Sequence, residues 1–330
     1  MADVMPAETD RGQLFLVGAL GLAVTFLVLA LVMNGVIYTE NVSARDLGTS
    51  TAPVIEYEVE AREVAERLVA GERGGASYDQ MEANVTGGLA NWSGAAQPFG
   101  ALGGDVVAIE NSTASNGTEL NQSPSREFTD EGGTASWVLA TDVTTRGAWM
   151  VATPSVTVSD IETEGFGNLT HSSGPFHLNV TDGSTTETVF LYENGSGDAC
   201  VAVFENGSHE ADGCVPGGSL RVDLVNGTYE DVSTGDETEL RELRVFDRVG
   251  EGHDLEFGNG DAADGTYEFV VDAERGSANV NDAGFNDGTG AGSPRAVRAL
   301  YDVEFDLTYR SGNVRYEATI RIAPGEPEYE

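Results

Sequence analysis

The sequence predicts a mainly β protein in which an N-terminal transmembrane helix and a short amphipathic helix precede a β-sandwich-like ectodomain. Three observations predict this order. Residues 14–33 are almost wholly apolar, an apolar stripe recurs at helical spacing over residues 54–70, and short alternating runs separated by turn residues fill residues 134–323. Alternation of apolar and polar residues is typical of strands that bury one face.

The apolar run at the N-terminus predicts the first element. No charged residue occurs between Arg11 and Glu40. Twenty residues of helix rise about 30 Å, which matches the thickness of a bilayer's hydrocarbon core. We therefore predict a transmembrane helix over residues 13–38 that contacts the lipid bilayer, with residues 1–12 as a cytoplasmic leader.

Residues 39–70 are predicted to form a juxtamembrane helical segment. Acidic residues twice precede an arginine by four positions there, an order that stabilises a helix. The apolar stripe either packs on the ectodomain or forms a seam with sister subunits. Its members fall at alternating steps of three and four: Val54, Tyr57, Ala61, Val64 and Leu68.

Residues 71–133 are rich in Gly, Ser, Thr and Asn, a composition that predicts a glycosylated linker or loops with little regular structure. The β-rich ectodomain follows over residues 134–323, and residues 324–330 are predicted to be a tail. Turn residues separate the candidate strands at a spacing typical of sandwiches. These strands cover residues 136–143, 149–158, 176–181, 188–192, 200–204, 220–225, 243–246 and 267–272.

The clearest predicted element is a C-terminal hairpin. Apolar residues alternate with polar ones over residues 301–310 and again over residues 314–322. A two-residue loop at Ser311 and Gly312 would place Tyr309 opposite Val314, so that the two apolar faces coincide.

Glycosylation sequons indicate which side of the membrane holds the bulk of the chain. Eleven of the seventeen asparagines begin Asn-x-Ser/Thr, and none of the eleven precedes the apolar run. This enrichment predicts an extracellular, sugar-coated ectodomain. Asn179 is expected to point outward, because its strand neighbours on either side are apolar. The sequons begin at Asn41, Asn84, Asn91, Asn111, Asn116, Asn121, Asn168, Asn179, Asn194, Asn206 and Asn226.

Charge excludes one class of partner. The chain has 55 acidic and 17 basic residues, a net charge of -38, and every base is arginine. Non-specific nucleic-acid binding requires a cationic surface, so nucleic acid is excluded as a partner. Dispersed acids without lysine are typical of proteins that live in molar salt, where the Debye length is about 3 Å. A surface loaded with calcium ions is the alternative explanation.

Cys200 and Cys214 are the two cysteines of the chain, and Gly-rich turn residues separate them. Outside the cell, this spacing predicts one disulfide across a hairpin. A zinc site would need two further ligands, and the scattered histidines (His171, His177, His209 and His253) show no metal-binding spacing. We therefore predict neither a metal site nor a cofactor.

No catalytic signature is present in the sequence. It contains no nucleophile elbow, HExxH motif, P-loop or dinucleotide-binding glycine pattern. Trp92, Trp137 and Trp149 either line a sugar site or pack in the core, and the apolar runs around the last two favour the core. We therefore predict that the protein is not an enzyme and has no catalytic residues.

A resemblance to a known family lies at the N-terminus, where Arg11, Gly12 and Gln13 directly precede the apolar run. The stretch RGQLFLVGALGLAVTFLVLALVMNGVIYTENVSAR resembles the class III signal peptides of archaeal type IV pilin-like proteins and the N-termini of uncharacterised haloarchaeal envelope proteins. This resemblance implies that a prepilin-type peptidase cuts between Gly12 and Gln13. An uncleaved signal anchor is the alternative.

These observations together lead us to expect a membrane-anchored, glycosylated cell-surface protein of a halophilic archaeon. As the resemblance implies, it would be a structural or interaction subunit of pilin-like type, with other pilin-like subunits or the S-layer as partners. A monomeric surface binding module that does not polymerise is the second hypothesis. An anchored extracellular hydrolase is the third, and no sequence feature supports it.

Overall fold

A computed structural model describes residues 52–75, 77–286 and 292–326. The chain divides into two compact units, Met1–Ile55 and Glu56–Glu330. The second unit is mainly β and contains two sheets. The predicted processing residues Arg11, Gly12 and Gln13 and the sequon at Asn41 lie outside the described residues.

Three α-helices occur in the described residues: α1 (Ala52–Gly71), α2 (Tyr78–Gly103) and the single turn α3 (Phe166–Leu169). The helix predicted over residues 54–70 is confirmed as α1. Glu58 pairs with Arg62 at 2.9 Å on its exposed side, as the spacing of four predicts. The buried side carries Tyr57, Ala61, Ala65 and Val69.

Fourteen strands are described, and they form one sheet of eight and one of six. In chain order they are β1 (Val106–Glu127), β2 (Trp137–Val143), β3 (Thr145–Pro154), β4 (Phe176–Thr181), β5 (Thr186–Glu193), β6 (Ala199–Glu205), β7 (Ser208–Val215), β8 (Leu220–Asp223), β9 (Thr228–Asp231), β10 (Glu237–Glu239), β11 (His253–Gly258), β12 (Ala263–Val271), β13 (Arg295–Arg310) and β14 (Arg315–Ile322). The larger sheet has the order β10-β9-β8-β3-β12-β1-β13-β14, and the smaller has the order β2-β11-β4-β5-β6-β7.

The two sheets share one hydrophobic core. Leu120 and Phe269 of the larger sheet and Leu178 and Val203 of the smaller sheet belong to the same buried cluster. The ring of Phe128 stacks on that of Phe176 in β4 of the smaller sheet, with centroids 4.5 Å apart. The alternating sequence pattern therefore places apolar side chains between the sheets, as in a sandwich. The β-sandwich-like part of the predicted fold is confirmed.

A second cluster covers the other face of the smaller sheet. Phe190 of β5 and Phe204 of β6 are buried there beneath Val158, Ile161 and Leu169 of the segment that follows β3. β5 and β6 are therefore buried on both faces, which accounts for their nearly continuous apolar sequence.

The C-terminal hairpin is confirmed as β13 and β14, but its predicted register is wrong. Tyr309 lies opposite Tyr316 rather than Val314, and Arg310 lies opposite Arg315. The loop has four residues, with the Ser311 N–H donating to the carbonyl of Val314 at 2.8 Å. A shift of two residues keeps every side chain on its predicted face, so the hydrophobic pattern could not distinguish the two registers.

The predicted fold class is wrong in its transmembrane element. Within residues 52–75, 77–286 and 292–326, no helix is long and apolar enough to cross a membrane. The span predicted over residues 13–38 lies outside the described residues. The fold class that the described chain supports is mainly β with two sheets and accessory helices.

Two further predictions about chain organisation need correction. Residues 71–133, predicted to be a linker or loops, contain α2 and the whole of β1, a central strand of the larger sheet. The predicted strand at residues 243–246 is instead a pair of short 3-10 turns. Buried apolar side chains caused that error, because Leu243, Val245 and Phe246 enter the core from a loop.

Candidate interaction surface

Helix α2 begins and ends at well-defined caps. The Ser77 hydroxyl accepts from the N–H of Gln80 at 3.3 Å, and Gly104 ends the helix with a φ of 86°. A residue with a side chain is strained at that φ, so glycine suits the position. Met81, Val85 and Leu89 recur every four residues and are buried. This buried stripe fixes which side of α2 faces outward.

From Ala83 to its C-terminal end, the outward side of α2 carries no charge. Residues 83–104 contain no acidic or basic side chain, although 22% of the whole chain is charged. The exposed residues recur every three to four positions and so share one side of the helix. We call this side the charge-free face; it consists of Ala83, Asn84, Ala90, Asn91, Gly94, Ala95, Gln97, Pro98, Phe99, Ala101 and Leu102.

Large apolar side chains are exposed at the C-terminal end of this face. Phe99 is 75% exposed and Leu102 is 87% exposed. Scattered exposed apolar residues are ordinary in soluble proteins, but Phe99 and Leu102 are one helical turn apart and form a local patch.

The charge-free face is held rigidly on the β-structure. Ser93, which is 3% exposed, accepts a hydrogen bond from the Ile109 N–H of β1 at 2.9 Å. The Trp92 ring stacks on Tyr57 of α1 with centroids 5.3 Å apart. A Cβ at Gly88 would lie 2.8 Å from a methyl carbon of Leu68, so glycine lets α1 and α2 approach closely. The face is therefore presented by a packed helix and not by a loop.

Ten of the predicted sequons lie in the described residues, and none of their asparagines is buried. Asn179 is half-buried, and its side-chain oxygen accepts from the Thr188 hydroxyl at 2.8 Å. Asn84 and Asn91 stand on the charge-free face. The exposed asparagines are Asn84, Asn91, Asn111, Asn168, Asn206 and Asn226, and the half-buried ones are Asn116, Asn121, Asn179 and Asn194.

The predicted disulfide is confirmed. Cys200 of β6 and Cys214 of β7 are directly opposite each other in the sheet and are bonded, with Cα atoms 4.0 Å apart. Cys200 is buried in the outer cluster of the smaller sheet, whereas Cys214 is exposed. The bond therefore ties edge strand β7 to its buried neighbour.

Two of the histidines have structural roles. His253 is buried, with its two ring nitrogens 2.9 Å from the Thr145 hydroxyl and 3.1 Å from the carbonyl of Gly250. His177 is buried beside the carbonyl of Pro175. Burial lowers the pKa of both imidazoles, so neutral rings are favoured. Each ring packs on an aromatic side chain rather than lining a cleft.

An acidic cavity of about 440 Å³ lies beside β13. Its charged groups are largely paired with one another: Arg321 binds Asp302 and Glu326, at 2.5 and 2.6 Å. The Tyr301 hydroxyl donates to Glu326 at 3.1 Å. This network fastens the segment after β14, predicted to be a tail, against the sheet. The pairing favours a structural role over a catalytic one.

A mixed cluster of Glu162, His209 and Asp212 is the group in the described residues that could hold a metal ion. The sequence pattern did not reveal it, because Glu162 lies 47 positions before His209 in the numbering.

The tryptophans differ in burial. Trp137 is buried and donates to the carbonyl of Phe128 at 3.0 Å, as predicted for the core. Trp149 is half-buried beneath the guanidinium of Arg221.

The chain was compared with protein-family models, with curated protein sequences and with solved structures. None of the three comparisons gave a match.

Proposed function

We propose that this protein is a cell-surface structural and interaction subunit of pilin-like type in a halophilic archaeon. In this proposal, the charge-free face of α2 contacts a second copy of the same chain. The cell surface is the proposed location, with the N-terminus on the cytoplasmic side of the membrane and the sugar-bearing domain outside.

The charge-free face is the observation that carries the proposal. Each chain has a net charge of -38, so most pairs of surfaces on two copies would bring carboxylates together. Removing such carboxylates from water costs several kcal/mol each unless they are paired. A face without charge avoids that cost on both copies. Phe99 and Leu102 then supply apolar area of the kind found at interface centres.

The sequons set the position of the contact. A glycan on Asn84 or Asn91 would stand on the face, but Phe99 lies eight residues beyond Asn91. Eight helical residues span about 12 Å. The contact is therefore centred on the C-terminal end of α2, with sugar on the part nearer to Ser77. The disulfide supports an oxidising compartment, as expected outside the cell.

The contact can be tested by measuring the molecular mass of the protein particle in solution in molar salt. The full chain is expected to self-associate, and Phe99→Glu and Leu102→Glu are expected to reduce its mass toward that of one chain. Val232→Glu is the matched control, because Val232 is 48% exposed but lies after β9, away from α2. A wild-type chain that stays monomeric at high concentration would overturn the proposal and favour the monomeric binding module.

Processing at the N-terminus is a separate part of the proposal. It rests on the resemblance carried by Arg11, Gly12 and Gln13. The mature chain is expected to begin at Gln13, and Gly12→Val is expected to block cleavage by a prepilin-type peptidase. Intact-mass measurement of membrane-purified protein decides this point: a chain that retains Met1 or Ala2 contradicts the pilin-like assignment while leaving the α2 contact open to its own test.

A further inference from the structure

Edge strand β7 contains an irregularity that brings two side chains together. His209 lies opposite Phe204 of β6, and Asp212 lies opposite Ala202, so three positions in β7 span two in β6. In a regular strand, residues three apart point to opposite faces. The extra residue in β7 puts His209 and Asp212 on the same face, a use of β-bulges that is common beside functional sites.

A third side chain reaches the same place from another element. Glu162 lies in the segment between β3 and α3, which covers this face of the smaller sheet. The three side chains offer ligand atoms that all lie within 4.8 Å of one another. The Asp212 carboxylate is 3.2 Å from His209 Nε2, and the Glu162 carboxylate is 3.9 Å from His209 Nδ1.

His209 Nε2 is shielded from solvent and has no hydrogen-bond partner in the described part of the chain. Its contact with the Asp212 oxygen is close but lacks hydrogen-bond geometry, so the two atoms do not point at each other. Two ligands about 2 Å from one tetrahedral metal ion lie about 3.4 Å apart. The 3.2 Å spacing therefore suits two atoms that converge on a shared cation.

The surroundings favour a cation. The His209 ring is fixed by edge-to-face contact with Phe204, with centroids 5.2 Å apart. Two of the three members of the cluster, Glu162 and Asp212, are carboxylates, so negative charge is concentrated there. The Glu162 side chain is 70% exposed and has room to turn toward an ion.

We propose that Glu162, His209 and Asp212 bind one divalent transition-metal ion of the zinc class. An imidazole nitrogen with two carboxylate oxygens suits such ions, whereas calcium and magnesium prefer oxygen ligands throughout. Three protein ligands leave a coordination position for water. The ion would tie the covering segment to edge strand β7. This inference does not depend on the contact proposed for α2.

Calorimetric titration of the full chain with Zn²⁺ in molar salt tests the site. One saturable ion per chain is expected. His209→Ala is expected to abolish this binding, and Asp212→Asn to weaken it by more than about tenfold, since loss of a ligand removes more than about 1.4 kcal/mol of binding free energy. Asp212 is exposed, so Asp212→Asn leaves the fold intact for the comparison.

Matched controls distinguish a specific Zn²⁺ site from non-specific attraction of Zn²⁺ to surface carboxylates. His171→Ala removes an exposed histidine outside the cluster, and Asp247→Asn removes an exposed acid outside it, so both are expected to keep wild-type Zn²⁺ binding. The proposal is overturned if wild-type protein shows no saturable binding, if His209→Ala binds as wild type does, or if Ca²⁺ displaces Zn²⁺ at equal concentration.

Discussion

Glu187 and Arg248 form an ion pair in which the carboxylate has no solvent exposure and lies 2.7 Å from the guanidinium. Both carboxylate oxygens lack hydrogen-bond geometry despite this contact. Burial raises the pKa of Glu187 to about 7, while Arg248 acts in the opposite direction and Glu205 adds to the rise. Desolvation therefore outweighs the attraction of the single partner, as is common for buried pairs.

The first prediction is that Glu187 makes the fold less stable as pH rises from about 4.5 to about 7. The unfolded chain loses the proton near pH 4.5, whereas the folded chain keeps it to about pH 7. In that window the folded state binds more protons, so its stability falls with increasing pH. Glu187→Gln removes this loss. The melting temperature of the Glu187→Gln variant should therefore rise relative to that of the wild type, by about 2 °C or more, as the pH approaches 7.

Glu239→Gln is the control for this experiment, because Glu239 is exposed on edge strand β10. It should follow the wild-type melting curve across the same pH range. If Glu187→Gln and wild type show parallel pH profiles, the buried carboxylate is ionised throughout and the pKa argument is wrong.

The second prediction concerns the disulfide. Replacing both cysteines, as Cys200→Ala with Cys214→Ser, suits the buried and the exposed position respectively. Loss of a cross-link between residues separated by 14 positions should cost about 3 kcal/mol in the free energy of unfolding. Denaturant unfolding measures this loss, and the bond itself should protect native wild-type protein from alkylation. An unchanged unfolding midpoint would contradict the prediction.

The third prediction separates packing from glycosylation at α2. Ser93→Ala leaves the Ile109 N–H without its acceptor, which should cost about 1–3 kcal/mol. Asn91→Gln destroys the same Asn-Trp-Ser sequon but keeps that hydrogen bond, so it should change stability by less than about 0.5 kcal/mol. Chemical unfolding of both variants without glycans makes the comparison. Equal losses would mean that Ser93 does not fasten α2 to β1.

Strong alternation made the β-structure predictable, and the predicted strand at residues 176–181 matches β4 at both ends. Helix α2 was missed because Gly87, Gly88, Gly94 and Pro98 have low helix propensity. Packing against β1 overrides that preference. A signal was nevertheless present, since Met81, Val85 and Leu89 recur at helical spacing after a capping serine.

The metal cluster could not be predicted from the sequence for a different reason. His209 and Asp212 share a face because β7 contains an extra residue, and a strand pattern of period two assigns them to opposite faces. The charge-free face, by contrast, was readable from the sequence as a long gap between Glu82 and Asp105 without charge. Its meaning depends on knowing that this gap lies on the exposed side of a helix.

The last prediction is that the fold depends on molar salt. At most 17 of the 55 acids can pair one-to-one with arginine, so 38 negative charges remain without a basic partner. Screening reduces their mutual repulsion, because the Debye length shortens from about 30 Å at 0.01 M to about 3 Å at 1 M. The melting temperature should therefore fall by about 10 °C or more when molar salt is replaced by dilute buffer. Calcium added to the dilute sample is the control for specific ion binding. An unchanged melting temperature would contradict the prediction, as would full recovery with one or a few calcium ions per chain, because bound cations would then explain the acids. Recovery that follows total ionic strength supports screening as the cause.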